Sequence, residues 1–159
     1  MGFVIHLGKE SFKFSCTHFT IFGPTVGERL HGHNYQVRCS IEVNKLDPKL
    51  GMAFDFNFVK PVIKALCDEL DERILVPMDS PFLQITDLET QQVKVVFGKK
   101  EYIFPFEDVC RLPLVNITSE ELAKYFCKEL KGKISGKLSL GNVSVTVEET
   151  LGQSVTYSE

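Results

Sequence analysis

Three histidines mark the part of this sequence best suited to chemistry: His18, and the pair that frames Gly32 in His31-Gly32-His33. Residues two apart on extended backbone point to the same face, so His31 and His33 aim both rings at one place, and a neighbouring strand can bring His18 to the same point. Three neutral imidazoles with no thiolate or carboxylate closing the sphere would hold a zinc-type ion and leave one position open for water or substrate, as catalytic rather than structural zinc does. The same residues also read as hydrogen-bonded histidines in a turn that leads into a strand. His6 lies farther back on the strand that ends at His18, with no partner nearby in the sequence, and reads as structural or exposed.

Glu149 is the second chemical anomaly. It continues the row Val143, Val145, Val147, and a carboxylate buried in such a row costs several kcal/mol unless something pairs with it. A ligand edge offering two N–H donors would satisfy both oxygens, as arginine does for carboxylates. The alternative is a strand-end glutamate that reaches water.

The elements that must position these groups follow from hydrophobic periodicity. Phe12, Phe14, Cys16 and His18 alternate with polar residues, and Tyr35, Val37, Cys39, Ile41 and Val43 do the same in a second strand whose apolar row shares its parity with His31 and His33. Between them, Gly23-Pro24 and Gly27 mark a loop. The stripe Val59, Val62, Ile63, Leu66, Cys67, Leu70 predicts a helix over about 57–70 with Asn57 as N-cap, and Asp55 before it reads as structural. Thr118-Ser119-Glu120-Glu121 has capping-box spacing ahead of a second helix that runs to about 131 and ends before Gly132. Residues 143–149 and Gln153 to Tyr157 read as the closing strands, and QQVKVVFGKKEYIFPF as a hairpin around Gly98-Lys99-Lys100. The expected fold is an α+β domain over 1–159, an antiparallel four-stranded sheet with two helices on one face and an inserted hairpin at about 85–110.

Composition narrows the function classes. The formal charge is -3 with no run of Lys or Arg long enough to track a phosphate backbone, so nucleic acid is not an expected partner. No apolar run reaches the length of a membrane span, and no leader pattern opens the chain, so no membrane partner is expected either. The Met-Gly start lacks the Ser or Thr of a myristoylation signal, because position 6 is His. Five scattered cysteines without a C-x-x-C fit reduced thiols and a cytoplasmic location.

Taken together, FSCTHF, HGHNY, GMAFDF, LDERILVP and VEET resemble the 6-pyruvoyltetrahydropterin synthase family, which includes the 6-carboxytetrahydropterin synthases. The resemblance implies the tunnelling fold (T-fold), assembly as a homo-hexamer built as a dimer of trimers, and Zn2+ on His18, His31 and His33. It also implies a small-molecule pterin substrate gripped by Glu149, with Thr118 near the ligand, although its capping role explains Thr118 equally well.

Two departures shape the expected mechanism. Family synthases carry a nucleophile-like cysteine in the loop before H-G-H, where this chain has Thr25, Val26 and Gly27, and Cys16 reads as a core residue rather than a substitute. Members also carry L-D-H where this chain has Leu70-Asp71-Glu72, so the histidine that assists the cysteine is missing too. The loop offers Glu28 instead, and E-x-x-H-G-H is similar to a family subgroup that replaces dihydroneopterin aldolase. A carboxylate base is already ionised near neutral pH and needs no activating histidine. Glu28, Asp71, Glu72 and Glu149 are therefore the candidate catalytic residues, with Asp71 an acid that has lost its partner and Glu72 also readable as an exposed residue. The expected reaction is cleavage of the 7,8-dihydroneopterin side chain to 6-hydroxymethyl-7,8-dihydropterin and glycolaldehyde. The alternative within the family is a 6-pyruvoyl- or 6-carboxytetrahydropterin synthase acting on 7,8-dihydroneopterin triphosphate, and one of another class is a pterin-binding protein without turnover.

Overall fold

The computed structural model describes residues 2–136 and 140–159. Alternating rows become strands, as their period of two requires: β1 (Phe3–Leu7), β2 (Lys13–His18), β3 (His31–Val43) and, at the far end of the chain, β9 (Val143–Thr150) and β10 (Gln153–Ser158). Between them come α1 (Phe56–Leu70), β4 (Arg73–Pro77), β5 (Gln84–Leu88), β6 (Gln92–Phe97), β7 (Lys100–Pro105), β8 (Val109–Leu112) and α2 (Ser119–Ile134). No helix among the described residues is long and apolar enough to cross a membrane.

The main sheet has seven strands in the order β10-β9-β3-β2-β4-β8, with β1 also paired to β3. This is the α+β architecture expected, but the sheet is larger than four strands and not wholly antiparallel, because β2 pairs β4 and β4 pairs β8 in parallel. The reason is visible in β4: the run Arg-Ile-Leu-Val-Pro shows no alternation, since a strand enclosed between two parallel neighbours is apolar on both faces. His6 belongs to β1, a separate strand from β2, where its Nδ1 meets Ser40 Oγ at 2.8 Å. The segment expected as a hairpin is a separate three-stranded sheet, β5-β6-β7, followed by β8, which returns to the main sheet.

Helix ends differ slightly from the sequence reading. Asp55 rather than Asn57 caps α1, its carboxylate accepting the Asn57 N–H at 2.8 Å. Thr118 caps α2 as expected, accepting from the Glu121 N–H at 3.3 Å. That helix continues through Gly132 to Ile134, because Ile134 is itself buried in the core.

Long β3 is the spine. Its first half pairs with β2, its far end with β1, and its opposite edge with β9. One face of this sheet meets both helices, and Phe14 of β2 stacks on Tyr35 of β3 at 5.0 Å and on Phe126 of α2 at 5.6 Å between ring centroids. All three rings are almost fully buried. Phe126→Ala should remove that bridge between layers and destabilise the protein by about 3–5 kcal/mol, read from the shift in urea midpoint by circular dichroism. A loss below about 1 kcal/mol would mean the helix is held elsewhere.

Candidate active site

The site grows out of strand register. In the β2–β3 ladder His18 stands opposite His31, Cys16 opposite His33 and Phe14 opposite Tyr35, so a single face carries core aromatics at one end and the imidazoles at the other. On the other edge of β3, Gln36 pairs with Glu148, which brings Glu149 beside Tyr35. Every candidate on this face is thus delivered by backbone pairing before any side chain chooses a rotamer.

The ligating nitrogens of His18, His31 and His33 lie within 4.8 Å of one another. His18 Nδ1 donates to the Ile117 carbonyl at 3.1 Å and His31 Nδ1 to the Arg29 carbonyl at 2.6 Å, which turns the Nε2 lone pair of each ring away from the backbone. Such backbone partners are the usual outer support of metal-bound histidines. His31 Nε2 and His33 Nε2 approach to 2.8 Å, a separation that calls for a proton or a cation to share. Burial holds the His18 pKa below its ordinary value, outweighing its hydrogen bond to Ile117, so its ring stays neutral and able to ligate. The donor set and its geometry fit a zinc-type ion with an open coordination position.

Two carboxylates flank this corner. Glu149 Oε1 accepts the Tyr35 hydroxyl at 3.0 Å and lies 3.2 Å from His33 Nε2 and 3.9 Å from His18 Nε2. The carboxylate in the apolar row therefore has a partner inside the protein, and its side chain is also 27% exposed to water. Glu28 Oε2 lies 3.8 Å from His31 Nε2 and accepts the Thr20 N–H at 3.0 Å, while its own N–H donates to the Thr20 carbonyl at 2.9 Å. Partial burial works against ionisation of Glu28, but the Thr20 hydrogen bonds and the nearby His31 and His18 outweigh it and hold the carboxyl below its usual pKa. The group is therefore an anion near neutral pH.

Glu28, Thr118 and Glu149 line one cleft of about 530 Å³, and His33, Glu149 and Glu72 line another of about 560 Å³, with Glu149 common to both. Asp71 is not brought to the histidines. Its carboxylate accepts the Ser15 N–H at 2.7 Å, and the next residue, Glu72, donates its N–H to the Ser15 carbonyl at 2.7 Å from a left-handed backbone with φ 57°. Cys16 borders the second cleft, yet burial and then the Glu149 charge push its thiol up to about 12, so it remains protonated and does not replace the absent loop cysteine.

Sequence reasoning missed two residues. Tyr35 was read as core, although its position two after His33 on the same strand face was the signal that it reaches the site. Asn116 carried no signal: its Oδ1 accepts from the Ile21 N–H at 3.1 Å and the Ile117 N–H at 3.0 Å, and its Nδ2 donates to the Ile21 carbonyl at 2.8 Å. It thereby ties the start of the Glu28 loop to Ile117, the residue whose carbonyl orients His18.

The 6-pyruvoyl tetrahydropterin synthase family model matches residues 7–159. A Methanocaldococcus jannaschii protein with the provisional name 6-carboxy-5,6,7,8-tetrahydropterin synthase is 31% identical over 150 residues, covering 91% of this chain and 88% of the relative. The Aquifex aeolicus 6-carboxy-5,6,7,8-tetrahydropterin synthase is 30% identical over 133 residues, covering 82% of this chain and 74% of that protein. Among solved structures, Plasmodium vivax 6-pyruvoyl tetrahydropterin synthase superposes with a TM-score of 0.91 at 26% identity, covering 100% of this chain and 98% of that one. Variants of that enzyme have been solved with a catalytic glutamate replaced by alanine or by cysteine. With almost its whole length inside the family model, this chain belongs to the 6-pyruvoyl tetrahydropterin synthase family and is a lyase of pterin biosynthesis on the tunnelling fold.

Proposed function

We propose that the chain binds a 7,8-dihydroneopterin-type substrate with its pterin edge on Glu149 and its side chain over His18, His31 and His33, where Glu28 acts as the general base. The observation that carries this reading is the Glu28 carboxylate 3.8 Å from His31 Nε2, pinned there by Thr20. A catalytic glutamate in the Plasmodium vivax enzyme supports a glutamate in such a role. Zn2+ is the ion that the three imidazoles suit, and when bound it polarises the side-chain hydroxyls and makes them more acidic.

Contacts of Glu149 with Tyr35 and His33 run through Oε1, which leaves Oε2 for an N–H donor on the pterin. Glu28 takes a proton from the side chain held beside it. Thr118 borders the same cleft while its hydroxyl caps α2. Asp71 serves by clamping β2 through Ser15, and Glu72 borders the second cleft that Glu149 lines.

Two outcomes share this beginning. The relatives named 6-carboxytetrahydropterin synthases favour conversion of 7,8-dihydroneopterin triphosphate to a 6-carboxy or 6-pyruvoyl tetrahydropterin, and this is the better supported of the two. The second is carried by Glu28 in a loop without cysteine. There, removal of the C2′ hydroxyl proton breaks the C1′–C2′ bond, the electrons pass into the C6=N5 imine, C1′ is reprotonated, and glycolaldehyde leaves with 6-hydroxymethyl-7,8-dihydropterin remaining. A binding role without turnover is set aside, because the relatives are named as synthases.

The reading extends to assembly and location. The main sheet is open, ending on β10 at one side and β8 at the other, edges through which further copies in a dimer of trimers would continue it. Five cysteines, all free, support a cytoplasmic setting.

Elemental analysis should find one zinc-type ion per chain, and His33→Ala should lose it while keeping its circular dichroism spectrum. Wild-type protein that stays metal-free in zinc-supplemented medium would remove the basis of the site. Zinc-loaded enzyme should be incubated separately with 7,8-dihydroneopterin and its triphosphate, and the oxidised pterins separated by fluorescence chromatography. A carboxy or pyruvoyl product from the triphosphate supports the synthase outcome, whereas hydroxymethylpterin supports cleavage. In either case Glu28→Ala should lower kcat about 10²- to 10⁴-fold while retaining the metal.

A further inference from the structure

We infer that the inserted sheet β5–β7 buttresses the loop that carries Glu28, and that Phe97 and Lys100 at its β6–β7 turn are positioning residues for the base. The inference rests on the reading of Glu28 as general base. Its starting point is that the loop is closed by hydrogen bonds across its stem but buries little at its tip. The stem pairs Ile21 with Gly27, and the Phe22 N–H bonds the Val26 carbonyl at 2.8 Å. Beyond it, however, Phe22 and Val26 are 66% and 61% exposed, so the loop's own large apolar side chains contribute little burial.

What lies beneath the loop is the tip of the insertion. Phe97 is 1% exposed, packed with Phe19 and Ile21, and its ring stacks on Phe19 at 5.6 Å. Phe19 directly follows the metal ligand His18, so the same ring supports both the metal strand and the base loop. Gly27, just before Glu28, sits so close that an added Cβ would be 2.8 Å from a Phe97 ring carbon and 2.9 Å from the Thr20 carbonyl. The loop can lie flat on Phe97 only because that position has no side chain. Alongside, the backbone of Gly98, with φ +57°, packs against Thr25, where an added Cβ would be 3.5 Å from the nearest Thr25 carbon.

Lys100 completes the support. Its Nζ donates to the Glu28 carbonyl at 3.2 Å, a charge-assisted bond onto the peptide that bears the base. One peptide later the Arg29 carbonyl accepts the His31 Nδ1–H. The ammonium therefore steadies a stretch of backbone that sets both the Glu28 carboxylate and the His31 ring. Glu28 is thus held from two sides, by Thr20 at its carboxylate and N–H and by the insertion at its carbonyl.

The test uses zinc-loaded full-length protein with Lys100→Met and Lys100→Arg, an exposed position where neither change disturbs a core. With the pterin that wild type turns over, K100M should lower kcat about tenfold or more with KM changed less than about twofold, since misplacing a base costs rate rather than ground-state binding. Hydrogen exchange of peptides spanning 20–30 should speed up in K100M, and K100R should restore both properties. Metal content should stay at the wild-type value in both variants. A raised KM with unchanged kcat and unchanged exchange would overturn the inference, as it would make Lys100 a contact for the substrate tail. Unchanged kinetics and exchange would overturn it as well. If wild type acts on neither pterin, the functional reading fails, while the exchange measurement still decides whether Lys100 holds the loop.

Discussion

Everything at the site depends on the antiparallel register of β2 against β3. Side chains on a strand alternate between faces, so the pairing of His18 with His31 also commits Cys16, His33, Phe14 and Tyr35 to that same face. A slip of one residue would turn the imidazoles to the other side of the sheet and expose Phe14 and Tyr35. The core therefore enforces the site: the aromatic stack from Tyr35 through Phe14 to Phe126 penalises every register but one. The geometry of the histidine cluster and hydrophobic packing are two ends of a single constraint.

Tyr35 shows how closely the two ends are joined. Its ring belongs to the core, while its hydroxyl serves Glu149 at 3.0 Å and approaches His18 Nε2 to 3.4 Å. Burial, and then the Glu149 charge, raise its pKa, so it remains a donor and neutral. A carboxylate at the rim of an apolar face is tolerable because this hydroxyl and His33 offset its desolvation. The contact also fixes one oxygen of Glu149, a residue that lines both clefts.

The Glu28 loop has a different logic. It springs from the end of β2, beyond the sheet's own ladder, and its position is set by parts of the chain distant in sequence: Asn116 at Ile21, Phe97 beneath Gly27 and Lys100 at the Glu28 carbonyl. If Glu28 is the base proposed above, such support is consequential. A cysteine base depends on a partner to ionise it, whereas a glutamate is ionised already and its efficiency turns on where it is held.

Periodicity alone determined a good part of this protein. The rows of β2, β3 and β9, the stripe of α1 and the capping box of α2 were legible because each is a local pattern whose period selects its backbone. The three histidines were legible for the same reason, since i, i+2 spacing decides the face and the paired rows decide the neighbour. What the pattern did not contain was β1, β4 and β8, because a short strand, or one enclosed between parallel neighbours, need not alternate. Nor did it contain the role of the inserted sheet, the double clamp of Asn116, or the partner of Glu149. Those contacts join residues as much as 114 apart, as Tyr35 and Glu149 are, and a hydrogen bond or a packed ring depends on distance in space. The sequence by itself determined which residues could bind a metal and accept a proton. Only the tertiary structure decided how each is held, because the groups that fix them arrive from other strands, loops and helices once the core has closed.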